Sequence, residues 1–318
     1  NTAFIVWSMF WVSMAAIAFA FCEVFANSML PDIAPADRIG RWSGWGWGMG
    51  YAGGLISIAL ALVFFVNAET PLLGLDKSSA EHVRMVGPFA AVWLIVFSVP
   101  LFLWTPDRTK IVMGVRTQIK AGLTELWNTI HKVRTHTNTV KFLIARMLYA
   151  DGLATVFAVG GIYAAGVFGM GLPEVLLFGI VLNLTAGAGA FTFGWIDDYL
   201  GPKRTILIAL TGLFVTATGA LIVTQVAWFW FFGAALGVFV GPAQAASRSM
   251  MSRLSPPTQR TEFFGLYALT GKATAFLGPT LVAALTAATQ SQRLGLSVLL
   301  VFIAAGAVLL LTVREPAA

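Results

Sequence analysis

A chain of 318 residues that is 58% hydrophobic and only 11% charged, with a mean hydropathy of +0.82, departs from soluble globular composition, where about a quarter of residues are charged. Its apolar residues fall in runs of roughly 20, the length that crosses about 30 Å of hydrocarbon as a helix, and unbroken runs exclude barrel strands, which alternate over about 10 residues. The net charge of +6 is a topology signal rather than a sign of nucleic-acid binding, because the basic residues collect on one side of the expected membrane.

Nine spans are expected in chain order, near residues 2–26, 43–67, 87–104, 139–166, 174–196, 204–224, 227–247, 262–287 and 294–313. With sides alternating, segments 27–42, 105–141, 197–204, 248–262 and 314–318 hold 15 of the 20 Lys and Arg residues, and the other side holds Lys77, Arg84 and Arg293. The positive-inside bias makes the first side, with the C-terminus, cytoplasmic. The expectation is an all-α integral membrane protein, multi-pass in the cell (inner) membrane and surrounded by lipid bilayer. No charged leader precedes the first span and residue 1 is Asn, so further upstream sequence is expected.

The first span carries Cys22, the single cysteine, so an intrachain disulfide is excluded. His82, His131 and His136 all fall between spans, and no metal site or cofactor is expected. Glu23 and Asn27 close that span one turn apart, either as part of a polar pathway or as helix-end hydrogen bonding. In the second span Gly44, Gly48 and Gly50 point to close helix approach, and Trp42, Trp45 and Trp47 suit an interfacial belt. Between residues 105 and 138, Val115, Ile119, Leu123, Leu126, Ile130 and Val133 recur at three- and four-residue steps among basic residues. That pattern predicts an amphipathic connector on the cytoplasmic leaflet.

The fourth span holds Arg146, Tyr149 and Asp151. A charge at mid-membrane costs at least roughly 2.5–3.5 kcal/mol, so Asp151 needs a partner or a task. It is either a proton or amine site facing a cavity, or the structural partner of Arg146 or Lys272. Asn183 and Gln244 are further polar side chains at span depth and join the candidate pathway. Lys272, about ten residues into the eighth span, is placed to meet a substrate carboxylate or to act as a counterion. The surrounding glycines have the wrong spacing for a nucleotide loop, with Ala273 where Ser or Thr is required. Pro242 and Pro279 are expected to kink their spans.

A weak internal repeat at an offset of 221 residues pairs Ser28, Met29, Pro35, Gly44 and Gly50 with Ser249, Met250, Pro256, Gly265 and Gly271. Such repeats are characteristic of secondary transporters, whose substrate site lies between the halves. Residues 1–104 are read as the last three helices of the first half, 105–138 as the connector and 139–318 as a six-helix second half.

Gly194, Asp197, Gly201, Lys203 and Arg204, in GWIDDYLGPKR, resemble the signature of the major facilitator superfamily between its eighth and ninth helices, with the first glycine slightly off register. The stretches NSMLPDIAPADRIGRWSGWGWGMGYAGG (27–54), YADG (149–152) and GPAQAASRSMMSRLSPPTQRTEFFGLYALTGKATAFLGP (241–279) are similar to the vacuole-effluxer-like permeases, the autophagy-related amino-acid effluxers and their bacterial relatives. The resemblance implies a twelve-helix major facilitator fold in which these spans are the fourth to the twelfth. It further implies a secondary transporter, not an enzyme, moving a small polar solute such as an amino acid by alternating access, with proton coupling and as a monomer. A drug or lipid exporter of the same superfamily and a non-transporting membrane sensor are the alternatives. The signature residues 194–204 are expected to tie neighbouring helices together at a cytoplasmic gate.

Overall fold

The computed structural model describes residues 2–68, 72–105 and 136–315, and the amphipathic connector expected at 105–138 lies almost wholly outside them. Ten helices organise the described chain: α1 (Thr2–Ile33), α2 (Ile39–Ala61), α3 (Val86–Trp104), α4 (Thr137–Phe168), α5 (Leu172–Leu200), α6 (Pro202–Ile222), α7 (Val226–Leu254), α8 (Arg260–Thr270), α9 (Leu277–Thr289) and α10 (Val298–Leu311). Eight helical stretches among the described residues are long and apolar enough to cross a membrane. The eighth expected span, 262–287, is instead α8 and α9 joined by a non-helical break at 271–276.

Local chemistry sets these boundaries. Gly201 adopts a φ of +86° between α5 and α6, a conformation that favours glycine, and Pro202 follows in the first turn of α6, where its missing N–H leaves nothing unpaired. Pro279 sits in the first turn of α9 and so belongs to a helix start rather than a kink within a continuous span. Pro242 lies inside an uninterrupted α7. In the connector before α3, Ser78 donates to the Asp76 carboxylate at 2.7–2.8 Å and its backbone N–H does the same, which holds that carboxyl below the usual range.

The core belongs to α4–α10. Phe142, Tyr149, Leu210, Leu213, Met250, Phe264 and Ile303 are fully or almost fully buried within one cluster. The seam between α5 and α7 is the tightest, since a Cβ on Gly189 would overlap the Val238 carbonyl and one on Gly241 would overlap the Ala186 carbonyl oxygen. α1 and α3 stand outside this cluster with long apolar side chains exposed, among them Trp7, Phe10, Trp11, Phe97 and Phe102.

Two expectations about α2 are corrected. Gly44 and Gly48 do face α5, where a Cβ on Gly44 would overlap the Ala190 carbonyl oxygen and one on Gly48 would come within 3.1 Å of the Gly187 carbonyl. Gly50 has open space around it, because two residues past Gly48 the helix has turned about 200°. The tryptophans also divide: Trp45 stacks on Phe191 at 5.6 Å between centroids, whereas Trp47 turns into the cavity described next.

Candidate solute site between two helix groups

α1 runs to Ile33 and α7 to Leu254, each seven residues beyond its expected limit. The extra turns bring polar residues into the protein that hydropathy had assigned to loops. Glu23 and Asn27 of α1, Trp47 of α2, Arg146 and Tyr149 of α4, Gln244, Ser247 and Arg248 of α7, Tyr267 of α8, and Gly271 and Lys272 of the break line one cavity of about 220 Å³.

Each charged group in it has a definite seat. Arg146 donates to the Tyr267 carbonyl at 2.6 Å and to the Thr270 hydroxyl at 3.3 Å, while its guanidinium lies 3.5 Å from the Tyr267 ring centroid. It thereby satisfies a carbonyl left open at the end of α8. Gly271 makes room for it, since a Cβ there would lie 2.7 Å from Nη1. Lys272 meets Glu23 at 3.4 Å across the cavity. Arg248 donates to Asn27 Oδ1 at 3.0 Å, Ser43 Oγ at 2.9 Å and the Ser43 carbonyl at 2.6 Å. Tyr149 shares a 2.6 Å hydrogen bond with Ser247, and Tyr51 donates to Gln244 at 3.0 Å.

Of the candidate pathway residues, Glu23, Asn27, Arg146, Tyr149, Gln244 and Lys272 therefore gather here. Asn183 does not: it donates to its own helix at Gly179 and lines a separate apolar cavity with Phe178 and Phe229. Asp151 is 2% exposed and lies outside the lining. It pairs with neither Arg146 nor Lys272. Its Oδ1 is buried, and the buried Thr274 hydroxyl is the polar group beside it. Two residues from Thr274 is Lys272, so the buried carboxyl adjoins the same break that shapes the cavity. Non-helical backbone at membrane depth is tolerated where it is enclosed by protein or lines a polar cavity. This break lines the cavity through Gly271 and Lys272, while Ala273 and Phe276 on it are exposed.

Beyond the cavity, toward the end rich in basic residues, contacts between α1–α2 and α5–α8 close the structure. Arg41 Nε pairs with Asp198 at 2.6 Å, Arg260 pairs with Asp32, and Ser43, fully buried, donates to the Ala245 carbonyl at 2.7 Å. The signature residues sit at this end. Gly194 packs on Gly40 and Arg41 of α2, and a Cβ on Gly40 would lie 2.6 Å from the buried Asp197 side chain. Lys203 instead caps the end of α10 by donating to the Leu311 and Val313 carbonyls, and Arg204 is exposed.

Sequence reasoning missed Arg248 and Asp198. The first was assigned to a basic loop; the second is the neighbour of the signature aspartate. One signal for Arg248 was present. Asn27 and Arg248 are 221 residues apart, the same offset as the weak sequence repeat, and their hydrogen bond joins α1 to α7.

Apolar helices crossing a bilayer, arranged around a polar cavity between two helix groups, define a membrane transporter of the major facilitator class. The fold matches the Escherichia coli fucose:proton symporter FucP with a TM-score of 0.69 at 11% identity, covering 92% of this chain and 73% of that one. Residues 37–317 match the family model described as vacuole effluxer Atg22 like, and the chain belongs to that family. It is 24% identical over 303 residues to the uncharacterized MFS-type transporter YxiO of Bacillus subtilis, covering 95% of this chain and 70% of YxiO. It is 30% identical over 279 residues to autophagy-related protein 22 of Pyricularia oryzae, covering 78% of this chain and 39% of that protein. The chain thus spans well under half the length of this fungal relative. The protein is a multi-pass membrane protein of a transporter family, not an enzyme.

Proposed function

We propose that this protein is a secondary active transporter that moves a small polar solute, with amino acids as the cargo class, by alternating access and with protons as the coupling ion. The observation that carries this reading is the polar cavity of about 220 Å³ between α1–α2 and α4, α7 and α8, closed on its basic side by contacts that cross between the groups. The charged side chains that line the cavity, Glu23, Arg146, Arg248 and Lys272, favour a polar solute over a drug or lipid. The positive-inside bias supports a cell-membrane orientation with the basic end and the C-terminus cytoplasmic, and the protein is read as a monomer. Residues 1–104 and 139–318 are the two moving groups.

Asp151 is the proposed proton carrier. It is a buried carboxyl at span depth outside the cavity lining, and it acts on the cavity through Thr274 and the break rather than by touching solute. Arg146, on the same helix, and Lys272, in the break, are the charged groups nearest in sequence to this contact. In proteoliposomes of the whole protein, Asp151→Asn is expected to cut pH-driven accumulation by about tenfold or more while folded yield is kept, the pattern for an ionisable residue with a task rather than a packing role. Undiminished accumulation would remove Asp151 from the coupling path. Absence of gradient-driven uptake in the parent protein, with a range of small polar solutes, would refute the transporter reading.

A further inference from the structure

We infer that the cavity is an anion site in which Arg146 and Arg248 bind a small solute carrying two carboxylates, whether or not that solute also bears an amine. The inference deepens the transporter reading and rests on it. Its basis is charge accounting among the described residues. Three cations line the cavity, Arg146, Arg248 and Lys272, against one carboxylate, Glu23. Glu23 is engaged by Lys272 at 3.4 Å. Both guanidiniums are held by uncharged acceptors alone: a carbonyl, a hydroxyl and an aromatic ring for Arg146, and Asn27 with Ser43 for Arg248. Asp151, the acid on α4, is outside the lining.

Charge at span depth is rare unless compensated or functional, and here neither guanidinium is hydrogen-bonded to an acid: Glu23, the carboxylate near Arg248, is shared with Lys272, so three cations face one carboxylate. A guanidinium carries five N–H donors in a planar fork that matches a carboxylate. Arg248 engages three of its donors and Arg146 hydrogen-bonds through Nη1 alone, so each keeps donors for a ligand. Arg146 stacks on the Tyr267 ring, and Tyr267, Arg146 and Arg248 line the same cavity. A neutral zwitterion would bring no net charge to this site. A dicarboxylate, an acidic amino acid included, would bring the charge that the cavity lacks.

The test uses the whole protein purified in detergent, with thermal unfolding and calorimetric titration against four probes: succinate, L-glutamate, L-alanine and glucose. Succinate and glutamate are expected to raise the unfolding midpoint and to give saturable binding; alanine and glucose are not. Arg146→Gln should weaken succinate binding at least about tenfold, and Arg146→Lys, which keeps the charge but not the fork, should fall between. If alanine or glucose binds as well as succinate, or if succinate binding survives Arg146→Gln unchanged, the anion assignment is wrong. Because ranking the probes on the unmodified protein needs no variant, a poorly folding variant leaves the test decisive. Accumulation of alanine in vesicles without competition from succinate would overturn the anion site and leave the transporter reading standing. Selective succinate binding without any accumulation would do the reverse.

Discussion

Gly241→Leu is expected to leave almost no folded protein. α5 and α7 approach so closely that the carbonyl of Ala186 occupies the place where a Cβ on residue 241 would go, and the same holds for Gly189 against Val238 and Gly237 against the Thr185 hydroxyl. Those neighbours are backbone or short side chains, and none of them can swing aside, so the helices themselves must part. Overpacking a core with flexible neighbours costs roughly 1–3 kcal/mol. Parting a backbone seam exceeds that and takes a large share of a total stability of about 5–15 kcal/mol. Size-exclusion profile and unfolding midpoint in detergent measure the effect. Gly265→Ala is the matched control, because nothing lies within 4 Å of a Cβ there, and its midpoint should hold or rise slightly. A monodisperse Gly241→Leu protein with the parent midpoint would show that this seam is not as close as described.

Arg248→Ala is expected to release the basic end of the molecule and to abolish transport. The side chain makes three hydrogen bonds from α7 to α1 and α2. Hydrogen bonds to a charged group contribute about 1.5–3 kcal/mol each. If half of their sum survives as a preference for the closed arrangement, its loss shifts the equilibrium on the order of 100-fold or more. Arg248→Lys should recover part of the effect, since one ammonium cannot reach Asn27 and both Ser43 oxygens in the same fork geometry. Ser28 supplies an independent readout: it is 7% exposed beside this contact. On a Cys22→Ser background, a Ser28→Cys probe should react with a water-soluble maleimide much faster when Arg248→Ala is present. An unchanged labelling rate together with normal uptake would mean that Arg248 does not hold the closed state.

Much of this was legible in the sequence, for definite reasons. Runs of apolar residues report the lipid, so eight of the expected spans lie close to where hydropathy puts them, whereas of the signature at 194–204 Gly194 packs on α2 while Lys203 caps α10 and Arg204 is exposed. What hydropathy cannot see is a polar turn buried against protein instead of water. Asn27 and Asp32 at the end of α1, and Arg248 at the end of α7, lower the local hydropathy and so read as loop, yet they are helical because Arg248 and Arg260 satisfy them from across the molecule. The break at 271–276 was hidden for the opposite reason. Gly271, Ala273, Ala275 and Phe276 keep the segment apolar, and Arg146, which hydrogen-bonds the Tyr267 carbonyl at the end of α8, is remote from it in sequence. A carboxyl as deep as Asp151 stands out in the sequence, but a 3.6-residue period does not say which face meets a cavity until the neighbouring helices are in place.

Alternating access, as proposed, requires α1–α2 and α5–α8 to separate and rejoin at the basic end during each transport cycle. Asp32 and Arg260 form an ion pair across that line. In a Cys22→Ser protein carrying Asp32→Cys and Arg260→Cys, a short bis-methanethiosulfonate should cross-link the two sites. Uptake into proteoliposomes should then stop and return in full when the link is reduced. Uptake that continues at the reduced-protein rate while the cross-link is complete would contradict alternating access through this seam.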